Sequence, residues 1–311
     1  MWNFGSLLGL FIFFQVLSGW FLSTHYIPHD SYSFFFYKKI NQDIFYGWFI
    51  QFIHMNFSSF LFFFIFFHIL KSFLNNSYTK TFMWIRGNVL FFLLIFSSFV
   101  GYVLPWGQIS FWGATVITNI FSAIPYVGLS LVNWIWGDFS VSRETLNKFF
   151  SFHFLFPLII LFLIIIHLSL LHKVGSSNQL GLSSDKDKFD FNKRFFSKDF
   201  LYLFIFLFFY FFFVFFFLSF HYGISKENYS EVDPLNTPSH IKPEWYFMFF
   251  YAILRSIPNK LGGIFSLFLI FSVFVFFFLK KRVYFSKFFF LKKLSIFFFY
   301  SYFFISYFYR F

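Results

Sequence analysis

Cysteine is absent from this sequence, which excludes disulfides, thiolate metal sites and c-type haem attachment. Charge is scarce as well: 12% of the 311 residues are Asp, Glu, Lys or Arg, about half the share of an average soluble domain. No charged side chain occurs from Met1 to His29, Ile44 to Leu70, Gly87 to Gly137, or Phe149 to His172. Three further runs cover Phe200 to Ser225, Leu261 to Leu279 and Leu294 to Tyr309. A helix needs ~20 apolar residues to cross the hydrocarbon of a bilayer, so most of these runs are long enough to span. Met1 lies almost against the first run, so neither a signal peptide nor an Arg/Ser-rich transit peptide is expected, in keeping with synthesis inside the organelle that uses the chain.

What is abundant is apolar. Hydrophobic residues make up 59% of the chain, the mean hydropathy is +0.70, and 70 residues are Phe. Phe is acceptable on a lipid-facing helix surface, so composition drift explains the number better than a stacking function does. The net charge of +12 sits in connections between spans, so membrane topology accounts for it better than a nucleic-acid surface does. The expected fold is an all-α integral membrane protein of about seven transmembrane helices, near 3–25, 46–73, 82–104, 147–171, 200–220, 261–279 and 289–309. The connections 71–86, 173–199 and 280–293 then share one side and hold 15 of the 24 basic residues, which places that side in the compartment of synthesis. The long connections 105–146 and 221–260 share the other side. They are rich in Pro, Gly and Trp and read as folded caps rather than tethers.

Four of the nine histidines lie deep in apolar helices: His54, His68, His153 and His167. An ionisable group at membrane depth is costly and is a functional candidate by default. A lone buried His is as readily a satisfied structural imidazole, but the spacing changes the odds. His54 and His68 are 14 residues apart, as are His153 and His167, and 14 residues rise ~21 Å and return within ~40° of the same helix face. Two such helices packed antiparallel offer two histidine pairs stacked across the membrane, each able to hold a haem iron from both axial sides. Gly5 and Gly19 on the first helix repeat the interval, as do Gly87 and Gly101 on the third. Each glycine supplies a gap for a porphyrin edge, although small residues also serve plain helix contact. Four helices sharing one spacing point to two stacked haems.

The connections carry a second signal. Pro243-Glu244-Trp245-Tyr246 follows the fifth helix, on the face nearest His54 and His153. Desolvation there would raise the Glu244 pKa toward the range useful for accepting a proton, the plain alternative being an interfacial Glu. On the opposite face His172, Ser176, Lys198 and Asp199 sit at the two ends of one loop, polar groups suited to a quinone's two carbonyls.

Long motifs then identify a family. Trp2–Gly9, Gly101–Gln108, Ser110–Asn119, Ser122–Tyr126, Trp134–Gly137, Pro234–Tyr246 and Tyr251–Gly263 resemble cytochrome b of the mitochondrial type, and the similarity runs from residue 2 to about 265. The resemblance implies a diheme four-helix bundle over 1–172, a matrix-side loop over 173–199, and a C-terminal transmembrane region over 200–311 that lacks the family's final helix. It implies two haem b groups, one of low potential held by His54 and His153 and one of high potential held by His68 and His167. Gln15 would lie near the propionates of the first, with Lys71, Ser77 and Trp84 near those of the second. Glu244, Tyr246, Tyr102, Gly113 and Pro243 would belong to the quinol-oxidising site, and His172, Ser176 and Asp199 to the quinone-reducing one. The implied activity is that of the catalytic core of ubiquinol–cytochrome c reductase in the mitochondrial inner membrane: one electron from ubiquinol to the Rieske iron–sulfur protein, the other through the haems to a second quinone, with proton translocation. Implied partners are the Rieske protein, a cytochrome c1-type subunit, other complex III subunits and a second copy of the chain. Gln51, Asp138, Lys148 and Lys173 depart from the family, where Arg, Gly, Arg and Glu are usual. A diheme dehydrogenase anchor needs no Pro-Glu-Trp-Tyr loop, and a histidine proton relay gives no reason for the glycine spacing.

Overall fold

The computed structural model describes residues 3–178, 183, 185–216 and 226–276, and each charge-free run within them is largely helical. Four helices are long and apolar enough to cross a bilayer: α1 (Phe4–Ser23), α3 (Gly47–Leu74), α4 (Thr81–Val103) and α7 (Arg143–Val174). They coincide with the first four expected spans. α7 begins four residues before its expected start at 147, where Ser142 and Thr145 form a capping box and Glu144 lies in the first turn; Lys173 lies in the last turn, and both charges suit the helix dipole. Among the described residues there is no named strand; a single bridge joins Gly107 to Glu231.

The sequence reading missed four short helices: α2 (Ser33–Gln42), α5 (Gln108–Asn119), α6 (Gly128–Trp136) and α9 (Met248–Ser256). All four lie in the connections. α8 (Ser197–Phe216) starts three residues before its expected position and follows a π-helical turn at Asn192–Phe196, and α10 (Lys260–Phe276) matches the sixth expected span. The expected helix at 289–309 lies outside the described residues.

α1 runs along α3 and α4 along α7, and the two pairs make a four-helix bundle. On α7 the buried or half-buried side chains Leu146, Phe149, His153, Ile160 and His167 recur every three to seven residues, the period of one inward seam. Phe154, Leu155, Leu158, Phe162 and Ile165 are exposed on the rest of the helix. A soluble monomer does not leave so large a contiguous apolar face in water, so this face meets lipid or other apolar partners.

The two long connections dock on each other at one end of the bundle. The Gln108 N–H donates to the Ser230 carbonyl at 3.2 Å, and the Ser110 N–H and hydroxyl both lie 3.0 Å from Asn228 Oδ1. A Cβ on Gly107 would stand 2.3 Å from the Asn228 carbonyl oxygen, so only glycine admits this approach. Lys260 Nζ reaches Ser122 Oγ at 2.7 Å and brings the start of α10 to the same cap.

Candidate functional site

The bundle brings His54 of α3 and His153 of α7 together, ring centroids 6.1 Å apart and planes 88° to one another. Each has a glycine of the neighbouring helix against it. A Cβ added to Gly19 of α1 would lie 2.9 Å from His54 Cε1, and one added to Gly101 of α4 would lie 2.3 Å from His153 Cε1. The same relation recurs deeper in the bundle. Gly5 faces His68 at 3.4 Å, and Gly87 faces His167 at 3.6 Å. Each of the four glycines thus leaves room beside one of the four imidazoles.

Hydrogen bonds orient the first pair. His153 Nδ1 lies 2.8 Å from the Ser97 carbonyl, and His54 Nδ1 lies 2.9 Å from Ser18 Oγ. Gln15 donates from Nε2 to the His54 carbonyl at 2.8 Å, so it touches the backbone of the residue whose cofactor it was expected to approach. In the second pair, Nδ1 of His68 and of His167 is buried with no hydrogen-bond partner among the described residues.

These residues fit a flat macrocycle better than a bare ion. Two imidazoles with ring centroids 6.1 Å apart are at a separation at which one metal could be bound by both, each through a nitrogen at ~2 Å. No group of three or more His, Cys, Asp or Glu that could complete a coordination shell occurs among the described residues. A metal held by His54 and His153 must bring its remaining ligands with it, as haem does.

Toward the cap, Glu244 opens the turn Trp245–Phe247, and its carboxylate accepts a hydrogen bond from Tyr102 at the end of α4. Burial pushes the carboxyl up to about 7, and the Tyr102 bond partly opposes that rise. Tyr246 is buried, with its ring stacked on Phe62 of α3 at 4.2 Å and 8°, while its hydroxyl bonds to Ser58. Pro243 is half-buried, and a Cβ on Gly113 of α5 would meet nothing within 4 Å. Glu244, Tyr246 and Tyr102 thus form one cluster.

The opposite end is looser. His172 and Ser176 are exposed at and just past the end of α7. Asp199 is 2% exposed and accepts from Asn3 Nδ2 at 2.7 Å. No hydrogen bond among the described residues joins it to His172 or Ser176. Trp84 is buried against Phe73 (5.3 Å) and Tyr78 (6.4 Å), close to the Ser77–Thr79 turn, and Lys71 is half-buried in the last turn of α3.

The departures have structural roles of their own. Gln51 hydrogen-bonds Tyr37 and ties α2 to α3. Lys148 Nζ donates to the Trp134 carbonyl at 2.7 Å and holds α6 against α7. Asp138 is exposed and accepts from the Phe139 N–H, and Lys173 is exposed. Sequence reasoning missed Ser18, the Ser97 carbonyl and Asn228; for Ser18 the available signal was a hydroxyl in an apolar helix beside one of the spaced glycines.

Two family models match. One, described as cytochrome b/b6/petB, covers residues 1–175, and the other, described as cytochrome b(C-terminal)/b6/petD, covers residues 231–309. Among solved structures, a chain of a hyperthermophilic respiratory Complex III is similar, with TM-score 0.81 and 32% identity over 89% of this chain and 74% of that one.

Proposed function

The chain belongs to the cytochrome b/b6 family, a haem b-binding family of multi-pass membrane proteins that serves respiratory electron transfer, and from that premise we propose that it is the quinol-oxidising core subunit of a ubiquinol–cytochrome c reductase. The observation that carries the reading is the register of four helices, in which each of four histidines faces a glycine of its neighbour at two depths of the membrane.

His54 and His153 would hold one haem b, and His68 and His167 the other. Bound haems supply one-electron carriers at two depths, and so a route for one of the quinol's two electrons to a quinone near the far face. The protein's own part is to orient ligands and move protons. Glu244, poised near neutral by burial and held by Tyr102, accepts a proton from the quinol hydroxyl near the cap. Tyr246 packs between the cap and α3 and lines the same site with Gly113 and Pro243. His172, Ser176 and Asp199 stand at the opposite end, where a quinone would take up protons. The excess of basic residues in the connections on that end supports placing it on the side of synthesis, which is the matrix if the membrane is the mitochondrial inner one. The other electron leaves to a Rieske-type partner beside a cytochrome c1-type subunit, in a complex built on two copies of the chain.

A haem count per chain, with a dithionite-reduced difference spectrum of the purified complex, tests this. Two b-type haems per chain, both reducible by quinol, are expected. A complex without haem would overturn it and return the histidines to a structural or proton-relay role.

A further inference from the structure

We propose that Ser18 is a positioning residue for His54, its hydroxyl accepting the imidazole Nδ1–H and thereby setting the reduction potential of the group held by His54 and His153. The inference rests on the haem-binding reading above. It follows from counting hydrogens at one buried hydroxyl. Ser18 is 8% exposed on α1. Its Oγ lies 2.7 Å from the Phe14 carbonyl, 3.3 Å from the Gln15 carbonyl and 2.9 Å from His54 Nδ1. A hydroxyl has one hydrogen and two lone pairs. Both carbonyls can only accept, so the hydrogen is committed to the helix backbone, chiefly to Phe14. The imidazole therefore meets a lone pair, and Nδ1 must carry the proton.

That protonation leaves the lone pair of His54 on Nε2, the atom free to bind a metal. His153 reaches the same state by another route, since its Nδ1 faces the Ser97 carbonyl, also an acceptor only. The two ligands of this pair thus lean on acceptors of different kinds, a side-chain hydroxyl and a backbone carbonyl. The other pair has no such partner: His68 Nδ1 and His167 Nδ1 are buried and unsatisfied among the described residues. Ser18 is the member of this set that substitution can remove without touching the backbone.

An acceptor on Nδ1–H raises the electron donation of the imidazole to its metal. It stabilises the oxidised metal more than the reduced one, so removing it must raise the potential. A hydrogen bond is worth ~0.5–1.5 kcal/mol net, which bounds the effect at about a two- to ten-fold change in the ratio of reduced to oxidised haem at fixed poise.

The test is a potentiometric titration of both haems in the purified complex carrying Ser18→Ala, beside Ser18→Thr and the parent, with haem stoichiometry taken first. The expected result is two haems in every sample, an upward shift of one haem's potential in Ser18→Ala, no shift of the other, and the parent value regained in Ser18→Thr. If Ser18→Ala loses the haem while Ser18→Thr keeps it at the parent potential, the hydroxyl is still the operative group. Unchanged potentials with both haems present would overturn the proposal, as would loss of haem from both variants, which would assign Ser18 to packing. A parent complex without haem would instead sink the underlying reading.

Discussion

At Gly101 and Gly19 the constraint comes from a carbon atom that is not there. A Cβ 2.3 Å from His153 Cε1 or 2.9 Å from His54 Cε1 cannot coexist with the ring where it stands. A Cβ on Gly87, 3.6 Å from His167 Cε1, is in ordinary contact. Gly101→Ala should therefore displace the His153 ring and cost one haem per chain. Gly87→Ala should retain two, and pyridine haemochromogen assays of the two variants make the comparison; equal haem contents would remove the steric argument. Glu244 is governed by burial instead. Its carboxyl is raised to about 7, so below that pH it is neutral and cannot accept a proton, and above it the ionised base is present. Quinol oxidation should rise with pH through about 7 in the parent. In Glu244→Gln it should be slower and lose that rise, with both haems retained. A pH–rate profile unchanged by the substitution would take Glu244 out of the mechanism.

Among the elements, the spans were legible because a bilayer leaves so few choices: a charge-free run of the right length has to be a helix. The cap was legible only as a folded region. α2, α5, α6 and α9 lie at an interface where polar and aromatic residues mix, and no single periodicity stands out there. Their helicity is supported by tertiary contacts, such as Trp136 Nε1 on Thr118 Oγ1 at 2.7 Å and the Gln51–Tyr37 bond. The join between the two long connections hangs on Asn228, 2% exposed, whose Oδ1 meets both the N–H and the hydroxyl of Ser110. Asn228→Ala leaves a buried N–H unpaired, which costs about 1–3 kcal/mol. The thermal midpoint of the purified complex should fall, and Asn228→Asp, which keeps the acceptor, should lose less; equal midpoints for parent and Ala variant would show that the join carries no stability. α7 also contains Pro157, which cannot bond back to the carbonyl of His153. The carbonyl of a candidate ligand is thereby left without its helix partner.

On the scale of the whole molecule, the sequence by itself determined the helical membrane fold, the positions of the first four spans and the one interval shared by four histidines and four glycines. Those rest on one-dimensional quantities: where charge is absent, and a 14-residue interval that returns to the same helix face. The order along the chain also places the two long connections on one side. Only the tertiary structure decided which atoms meet. That each glycine lies beside an imidazole, that Ser18 meets His54 Nδ1, that Asp199 is taken by Asn3, and that Gln51 turns to Tyr37 all depend on how closely neighbouring helices approach and how they are rotated. The physical reason is that spacing along one helix sets a face and a depth, whereas contact needs the partner helix's rotation and distance, which arise from packing of side chains far apart in the chain.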